Sequence, residues 1–301
     1  MRIAAIVLTK NEERHIVRCL QSLAGFADEV FVVDSGSSDR TIDLAKSHGA
    51  TVLANPWRNY ATQFNWGLDN APITADWVMR IDADEFLAPG SGEELRRTVA
   101  AAPSNVTGIV IRRQIHFLGR WIRHGAIYPI YHLRLWRRAY GRCEERWMDE
   151  HIELSQGETR VVAADIIDAN LNSVTWWTEK HNSYASREAV DILRQRYESA
   201  GSREGARKLS VQQASLKRFM KESVYNNLPL GVRAAAYFAY RYVVRLGFLD
   251  GMQGAIFHAL QGFWYRYLVD VKVWEVEREM RASGVPLDVA IRRCLGISVA
   301  P

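Results

Sequence analysis

Asp76-Trp77-Val78-Met79-Arg80-Ile81-Asp82-Ala83-Asp84-Glu85-Phe86-Leu87-Ala88-Pro89 reads as a buried strand running into a cluster of acids. Trp77 to Ile81 carries the apolar run of a strand, and Pro89 with Gly90 forces a turn. Between them three carboxylates, Asp82, Asp84 and Glu85, fall within four residues. Carboxylates at alternate positions of an extended segment project to one side. Asp82 and Asp84 would then converge, and like charges that close repel unless a cation lies between them. A hard, oxygen-liking ion such as Mg2+ or Mn2+ satisfies such a pair, with a phosphorylated ligand completing its shell. A solvated acidic loop accounts for the same letters, and the surrounding sequence decides between the two.

Upstream, Ile3 to Leu8 is a short Ile/Val-rich run suited to a buried parallel strand. Asn11 can cap the helix that follows, with Ile16, Cys19, Leu20 and Leu23 as its apolar face. Glu29 to Val33 is a second strand ending on Asp34, and Ser38 or Asp39 can cap the next helix. Thr51 to Leu53 is a third strand, and 60–70 is helical. Strands alternating with helices predict an α/β domain, a mostly parallel sheet with helices on both faces. Ligands of such sheets sit at the carboxyl ends of the strands. Three strand ends here are polar: Thr9 with Glu12, Asp34, and Asp82 with Asp84. No Gly-x-Gly-x-x-Gly follows the first strand and no P-loop motif occurs, which disfavours dinucleotide and P-loop readings. A phosphatase of the Asp-x-Asp-x-Thr kind has Thr where Phe86 stands.

Ile6-Val7-Leu8-Thr9-Lys10-Asn11-Glu12, Val33-Asp34-Ser35-Gly36-Ser37-Ser38-Asp39-Arg40-Thr41 and Ile81-Asp82-Ala83-Asp84-Glu85 together resemble the opening of family 2 glycosyltransferases. More narrowly, Gly119-Arg120-Trp121, Arg134-Leu135-Trp136, Lys180-His181-Asn182 and Gly247-Phe248-Leu249-Asp250-Gly251 resemble the bacterial lipopolysaccharide-core glucosyltransferase-like subgroup. The resemblance implies a GT-A fold and inverting, nucleotide-sugar-dependent transfer, with a UDP-sugar donor and a saccharide or lipid-linked acceptor. It implies that Thr9, Asn11, Glu12 and Asp34 hold the nucleoside, that Asp82 contacts the ribose or the metal, and that Asp84 binds the divalent ion. His181 is a further candidate ligand to the metal or diphosphate, and His151 a weaker one. Arg134 can reach a phosphate as a bidentate donor, or serve as a surface ion pair.

Gly108 to Arg113 reads as a strand, 114–132 as no regular element, and Leu133 to Trp136 as a strand. Trp121, His124, Tyr128 and Tyr131 can line an acceptor groove, since sugars stack on aromatic faces, or can simply pack. Inverting transfer needs one carboxylate to take the acceptor's proton. Asp149 and Glu150 are the candidates; the subgroup pattern is His-Glu, which makes Glu150 the base and Asp149 the residue in place of the His.

From Val174 the sequence turns helical, with 201–207 a loop, a second segment reaching Asn226, and a break at Asn227 and Pro229. Arg233, Tyr237, Arg241 and Arg245 then recur at four-residue spacing on one helical face. Gly247 to Gly251 breaks the helix, and 252–281 forms another. Residues 201–301 hold 15 Lys/Arg and 8 Asp/Glu, a net of +7, against −2 for residues 1–200. The longest uncharged stretch here, Gly251 to Tyr265, is too short for a span of ~20 apolar residues. A basic, aromatic-rich surface in the plane of the inner membrane leaflet fits. A helical pair packed on the catalytic domain or on a second subunit fits equally, and nucleic acid does not.

The expected division is 1–172, a catalytic GT-A domain, and 173–301, a helical region that meets membrane or forms an oligomer. Three scattered cysteines, Cys19, Cys143 and Cys294, and an apolar N-terminal run too short for a signal peptide predict a reducing cytoplasm, with peripheral contact at the membrane. The expected activity is transfer of a hexose, glucose from UDP-glucose, in cell-surface polysaccharide or lipopolysaccharide synthesis. A phosphatase-like enzyme on the same acidic edge and a non-catalytic membrane-associated scaffold are the alternatives.

Overall fold

Side chains of the first strand alternate between two core layers. In the computed structural model of the chain, residues 1–144, 151–198 and 231–298 are described. Two compact units follow one another, Met1–Leu171 and Asn172–Pro301.

In the first unit, β1 (Ile3–Thr9) lies between β2 (Glu29–Asp34) and β4 (Trp77–Asp82), parallel to both, and β3 (Thr51–Ala54) extends the sheet parallel to β2. Ile3, Ala5 and Val7 point to one face, where α1 (Ile16–Leu23) and α4 (Ser91–Ala100) pack through Cys19, Leu23, Leu95 and Val99, with Ala45 of α2 (Thr41–Ser47). Ala4 and Ile6 point to the other, against Ala61 and Phe64 of α3 (Tyr60–Asn70). A Cβ on Gly67 would lie 2.8 Å from Val33 Cγ2, so the missing side chain is what lets α3 sit against β2.

The rest of the unit is β5 (Glu85–Leu87), β6 (Val106–Phe117), β7 (Arg120–Ile122), β8 (Ile130–Arg137), β9 (Gly141–Cys143), β10 (Ile152–Leu154) and β11 (Glu158–Ala169). The sheet runs β3-β2-β1-β4-β8-β6-β11-β5, with β7 on β6. Its first four strands are parallel. Beyond them β8 is antiparallel to β4 and β6, and β11 is parallel to β6. Together with the helical second unit this is the expected α/β class, a GT-A-like mixed sheet with helices on both faces. Residues 114–132 are more regular than their composition suggests. The β6–β7 hairpin pairs His116 with Trp121, whose rings stack 6.3 Å apart, a cross-strand contact that local pattern does not reveal.

The second unit contains α5 (Val174–Glu198), α6 (Val232–Ala239) running into a π-helical turn at Tyr240–Val244, and a 3-10 turn at Gly247–Asp250. Then α7 (Gly251–Phe257) passes through a second π-helical turn, His258–Trp264, into α8 (Tyr265–Ser283), and α9 (Leu287–Leu295) follows. Leu193 of α5, Val273 and Val276 of α8 and Ile291 of α9 share one core. The break expected at Gly247–Gly251 and the helix expected over 252–281 are both present. Gly247 has a packing reason: a Cβ there would lie 2.5 Å from His258 Nε2. The expected loop at 201–207, the segment to Asn226 and the break at Asn227 and Pro229 lie outside the described residues. No helix among the described residues is long and apolar enough to cross a membrane.

Candidate functional site

Parallel pairing sets Thr9 opposite Asp34 and Leu8 opposite Asp82, so the carboxyl ends of β1, β2 and β4 lie side by side. Asp34 is buried there with both oxygens engaged. Its Oδ1 accepts from Gly36 N and Ser37 N at 2.8 Å, and its Oδ2 accepts from Thr9 Oγ1 at 2.9 Å and Ser37 Oγ at 2.5 Å. Thr9 and Asp34 are thus one unit that fixes the loop after β2. Asn11 does not cap α1. It sits in the left-handed region, φ 56°, which Asn tolerates, and its Oδ1 accepts from Ser38 N at 2.8 Å. Glu12 Oε2 lies 2.6 Å from His15 Nδ1, while His15 Nε2 accepts from Leu171 N. Neither Ser38 nor Asp39 holds the cap position of α2, which falls on Arg40 and has no side-chain cap; Asp39, one residue earlier, accepts from Thr41 N at 3.0 Å.

The acidic stretch does not stay extended. β4 ends at Asp82, and the chain turns at Ala83 and Asp84 before β5 begins at Glu85. Alternation along a strand therefore does not govern Asp82 and Asp84. Asp82 instead accepts a hydrogen bond from Tyr60 Oη, and Tyr60 Oη accepts in turn from Arg80 Nε at 2.8 Å. The Arg80 guanidinium also covers the Tyr60 ring, 4.1 Å from its centroid. Burial raises the Asp82 pKa, but Arg134 and Arg80 outweigh it and hold the carboxyl down at about 2.

Glu85 is buried and pairs with Arg134 Nη2 at 2.7 Å; the same nitrogen lies 3.7 Å from Asp82 Oδ2. Desolvation pushes the Glu85 carboxyl up, to about 7, against the pull of Arg134. Arg134 is itself 3% exposed, and its Nε and Nη1 have no hydrogen-bond partner among the described residues. It is a buried cation in the midst of the acids, not a surface ion pair. Beside it, burial and the Arg134 charge drive His132 down to about 2.

Asp84 is half-buried, and its Oδ2 accepts from Asn170 Nδ2 at 2.9 Å. Arg18 Nη2 donates to the carbonyls of Asp84 and Ala169 at 3.2 and 2.6 Å and so ties this turn to the end of β11. Arg113 Nε lies 3.9 Å from Asp168. Tyr60, Arg80, Arg113, Asp168 and Asn170 belong to this edge without belonging to any of the sequence motifs. Arg80 alone left a signal, as a charge inside an apolar strand.

Trp121 of β7 and Tyr128 of the connection to β8 meet edge to face, 5.0 Å between centroids, and Arg123 lies 4.6 Å over Trp121. Tyr128 Oη donates to Asp165 at 2.9 Å, and Arg112 holds the same carboxylate in a two-point pair. His124 is half-buried and its carbonyl accepts from Ile127 N, while Tyr131 is exposed.

Asp149 and Glu150 lie outside the described residues. Their segment is rooted where β9 pairs antiparallel with β10, with Glu144 N donating to His151 O at 2.8 Å. Asn65 clamps that root: its Oδ1 accepts from Cys143 N and its Nδ2 donates to Cys143 O, both at 2.9 Å. His151 is exposed. His181 belongs to the second unit, where its ring stacks on Trp177 at 3.4 Å and its Nδ1 bonds the Trp177 carbonyl at 2.8 Å. Among the described residues no three His, Cys, Asp or Glu side chains converge on a ready cation site. What the edge offers is two half-buried carboxylates, Asp84 and Asp82, the second already engaged by Tyr60 and Arg134, and a buried guanidinium with spare donors, an arrangement suited to an anion that brings its own cation.

Residues 4–149 match the family model described as glycosyl transferase family 2. The lipopolysaccharide core biosynthesis glycosyltransferase LpsC of Rhizobium meliloti is 32% identical over 147 residues, 47% of this chain and 53% of that protein. The uncharacterized glycosyltransferase RT0209 of Rickettsia typhi is 38% identical over 100 residues, 33% of this chain and 34% of its own length. The chain thus spans between a third and about half of these relatives. Among solved structures, glucosyl-3-phosphoglycerate synthase from Mycobacterium tuberculosis aligns at 22% identity over 38% of this chain and 44% of that one, with a TM-score of 0.31. With the sequence match ending at 149, within the first compact unit, that unit of the chain is a family 2 glycosyltransferase domain.

Proposed function

We propose that the chain is an inverting transferase that moves a hexose, glucose from UDP-glucose, onto a saccharide or lipid-linked acceptor. It would act in cell-surface polysaccharide or lipopolysaccharide synthesis at the inner face of the cytoplasmic membrane. The observation that carries this reading is Arg134: a guanidinium buried at the strand ends, with two N–H donors lacking acceptors among the described residues. A buried donor left unsatisfied costs about 1–3 kcal/mol, and a diphosphate oxygen would remove that cost.

In this reading Thr9, Asn11, Glu12 and Asp34 shape the nucleoside end of the site, and Arg134 holds the diphosphate. Asp84 would hold Mg2+ or Mn2+, both of which take hard oxygen donors and complete their shell from phosphate and water. Asp82 is the weaker ligand, since Tyr60 and Arg134 already engage it, and His181 is kept as a candidate further ligand. A bound cation would neutralise charge developing on the departing diphosphate. Glu150, or Asp149 in its place, takes the acceptor's hydroxyl proton while that oxygen attacks the anomeric carbon. The bond from that carbon to the diphosphate breaks on the opposite face, and its electron pair leaves with UDP. Trp121, His124 and Tyr128 would line the acceptor side.

Calorimetric titration with UDP, with and without Mn2+, tests the donor half. Metal-dependent binding weakened about tenfold or more by Asp84→Ala is expected. Absence of UDP binding would sink the UDP assignment. Release of phosphate from simple monoesters would favour the phosphatase-like alternative. For the base, Glu150→Gln should slow transfer and keep UDP binding, and full activity in that variant would move the role to Asp149.

A further inference from the structure

The helices of residues 232–270 are built inside out. Arg233, Arg241, Asp250, His258 and Asp270 are buried, while the surface around them is apolar. Gly231 N and Arg233 bond Asp270, Arg241 bonds Gln261, and Tyr242 faces His258, so the two arms run antiparallel as a helical hairpin. The exposed residues from 235 to 270 are mostly apolar, with Val243, Val244, Leu246, Phe248, Leu249 and Met252 gathered toward the turn. Arg245 is the one charge among them, and no acid is exposed. Val244 and Met252 are 67% and 72% exposed, far beyond what isolated surface hydrophobics require.

We propose that this hairpin is a membrane-inserting wedge, which lies at the headgroup–acyl boundary of a bilayer carrying anionic lipid. Phe248, Leu249 and Met252, at the turn, enter the acyl region, and Arg245 reaches back to lipid phosphate. Three observations favour lipid over a protein partner. Polar groups turned toward each other and apolar groups turned outward are the arrangement that hydrocarbon surroundings select. The single exposed charge is basic, in a third of the chain with a net of +7, which complements an anionic surface. The arm from Val232 to Val244 rises ~20 Å at most, short of the ~30 Å hydrocarbon core, which suits entry from one side and not a crossing. The wedge gives a location to the membrane contact in the proposed function. It rests on that reading for its purpose and not for its existence.

The test is flotation of the purified full chain with two kinds of vesicle, phosphatidylethanolamine mixed with phosphatidylglycerol and phosphatidylcholine alone. Wild-type chain should float with the anionic vesicles. The double variant Phe248→Ser, Leu249→Ser should lose about tenfold in partitioning, and Arg245→Glu should lose most of its preference for anionic vesicles. These side chains are exposed, so unchanged melting curves should accompany the loss. Wild-type binding insensitive to the double variant overturns the proposal. So does absence of vesicle binding in a chain that sediments as a dimer split by Leu249→Ser, which makes the patch a subunit interface. UDP titration of the same samples without vesicles separates the two readings: vesicle binding without UDP binding keeps the wedge and removes the UDP assignment, and the reverse removes the wedge alone.

Discussion

Arg134 and Glu85 form the residue-scale feature on which the site turns. Removing one partner of a buried ion pair strands the other charge, at a cost of about 3–5 kcal/mol. Arg134→Ala should therefore lower stability by that order in urea titrations, and Glu85→Gln should cost less, because Asp82 Oδ2, 3.7 Å from the same Arg134 nitrogen, still faces the guanidinium charge. Glu85 also gives the fold a pH dependence. Its folded pKa, about 7, lies above the ordinary value of 4.5, so the folded state binds the proton more tightly than the unfolded chain. Its stabilising contribution is complete below about pH 4.5 and is lost as pH rises through about 7. Unfolding free energies measured across that window should decline in the wild type and lose this component in Glu85→Gln. Asp82 works the other way: held at about 2, it contributes stability above its ordinary 3.8 that disappears as pH falls toward 2. A sequence shows three acids in four residues. It does not show that one of them is locked to an arginine 49 positions later.

At the scale of elements, the β9–β10 pair roots the segment that carries Asp149 and Glu150, and Asn65 of α3 holds the root through two buried hydrogen bonds. Asn65→Ala would remove both of its hydrogen bonds to the Cys143 backbone, an expected loss of about 2 kcal/mol in denaturant midpoints converted to free energy. If the rooted segment supplies the base, the variant's turnover should fall more than its UDP affinity. The second unit has a comparable point of contact at Gly247. A methyl group there meets His258 and the Arg241 carbonyl, so Gly247→Ala should destabilise the hairpin by about 1–3 kcal/mol, seen as a lower melting temperature. Both elements depend on contacts between stretches that are distant in the chain, and each explains a local sequence feature, the Asn in α3 and the Gly-Phe-Leu-Asp-Gly run, that has no local reason.

For the whole molecule, the chain divides between Leu171 and Asn172. The core layers on either face of the sheet are complete within the first unit. A fragment of residues 1–171 is expected to melt cooperatively and to keep UDP binding while losing vesicle flotation; failure of UDP binding in a folded fragment would place donor contacts, His181 among them, in the second unit.

Much of the first unit was legible from its letters. Short Ile/Val runs ending in Thr9, Asp34 and Asp82 announce parallel strands with polar carboxyl ends, because strand period, turn chemistry and helix amphipathicity are all local. β11 was not legible: its pairing with β6 slips register twice, so no clean alternation marks it. The arginines at 233, 241 and 245 show the limit most clearly. Their four-residue spacing by itself determined only that a regular α-helix would put them on one face; the π-helical turn at Tyr240–Val244 breaks that register, leaving Arg233 and Arg241 buried and Arg245 exposed. Which way the face points was decided only by the tertiary structure, because the acid that draws Arg233 inward, Asp270, comes from the returning arm of the hairpin. Periodicity within a helix carries no information about what lies across from it.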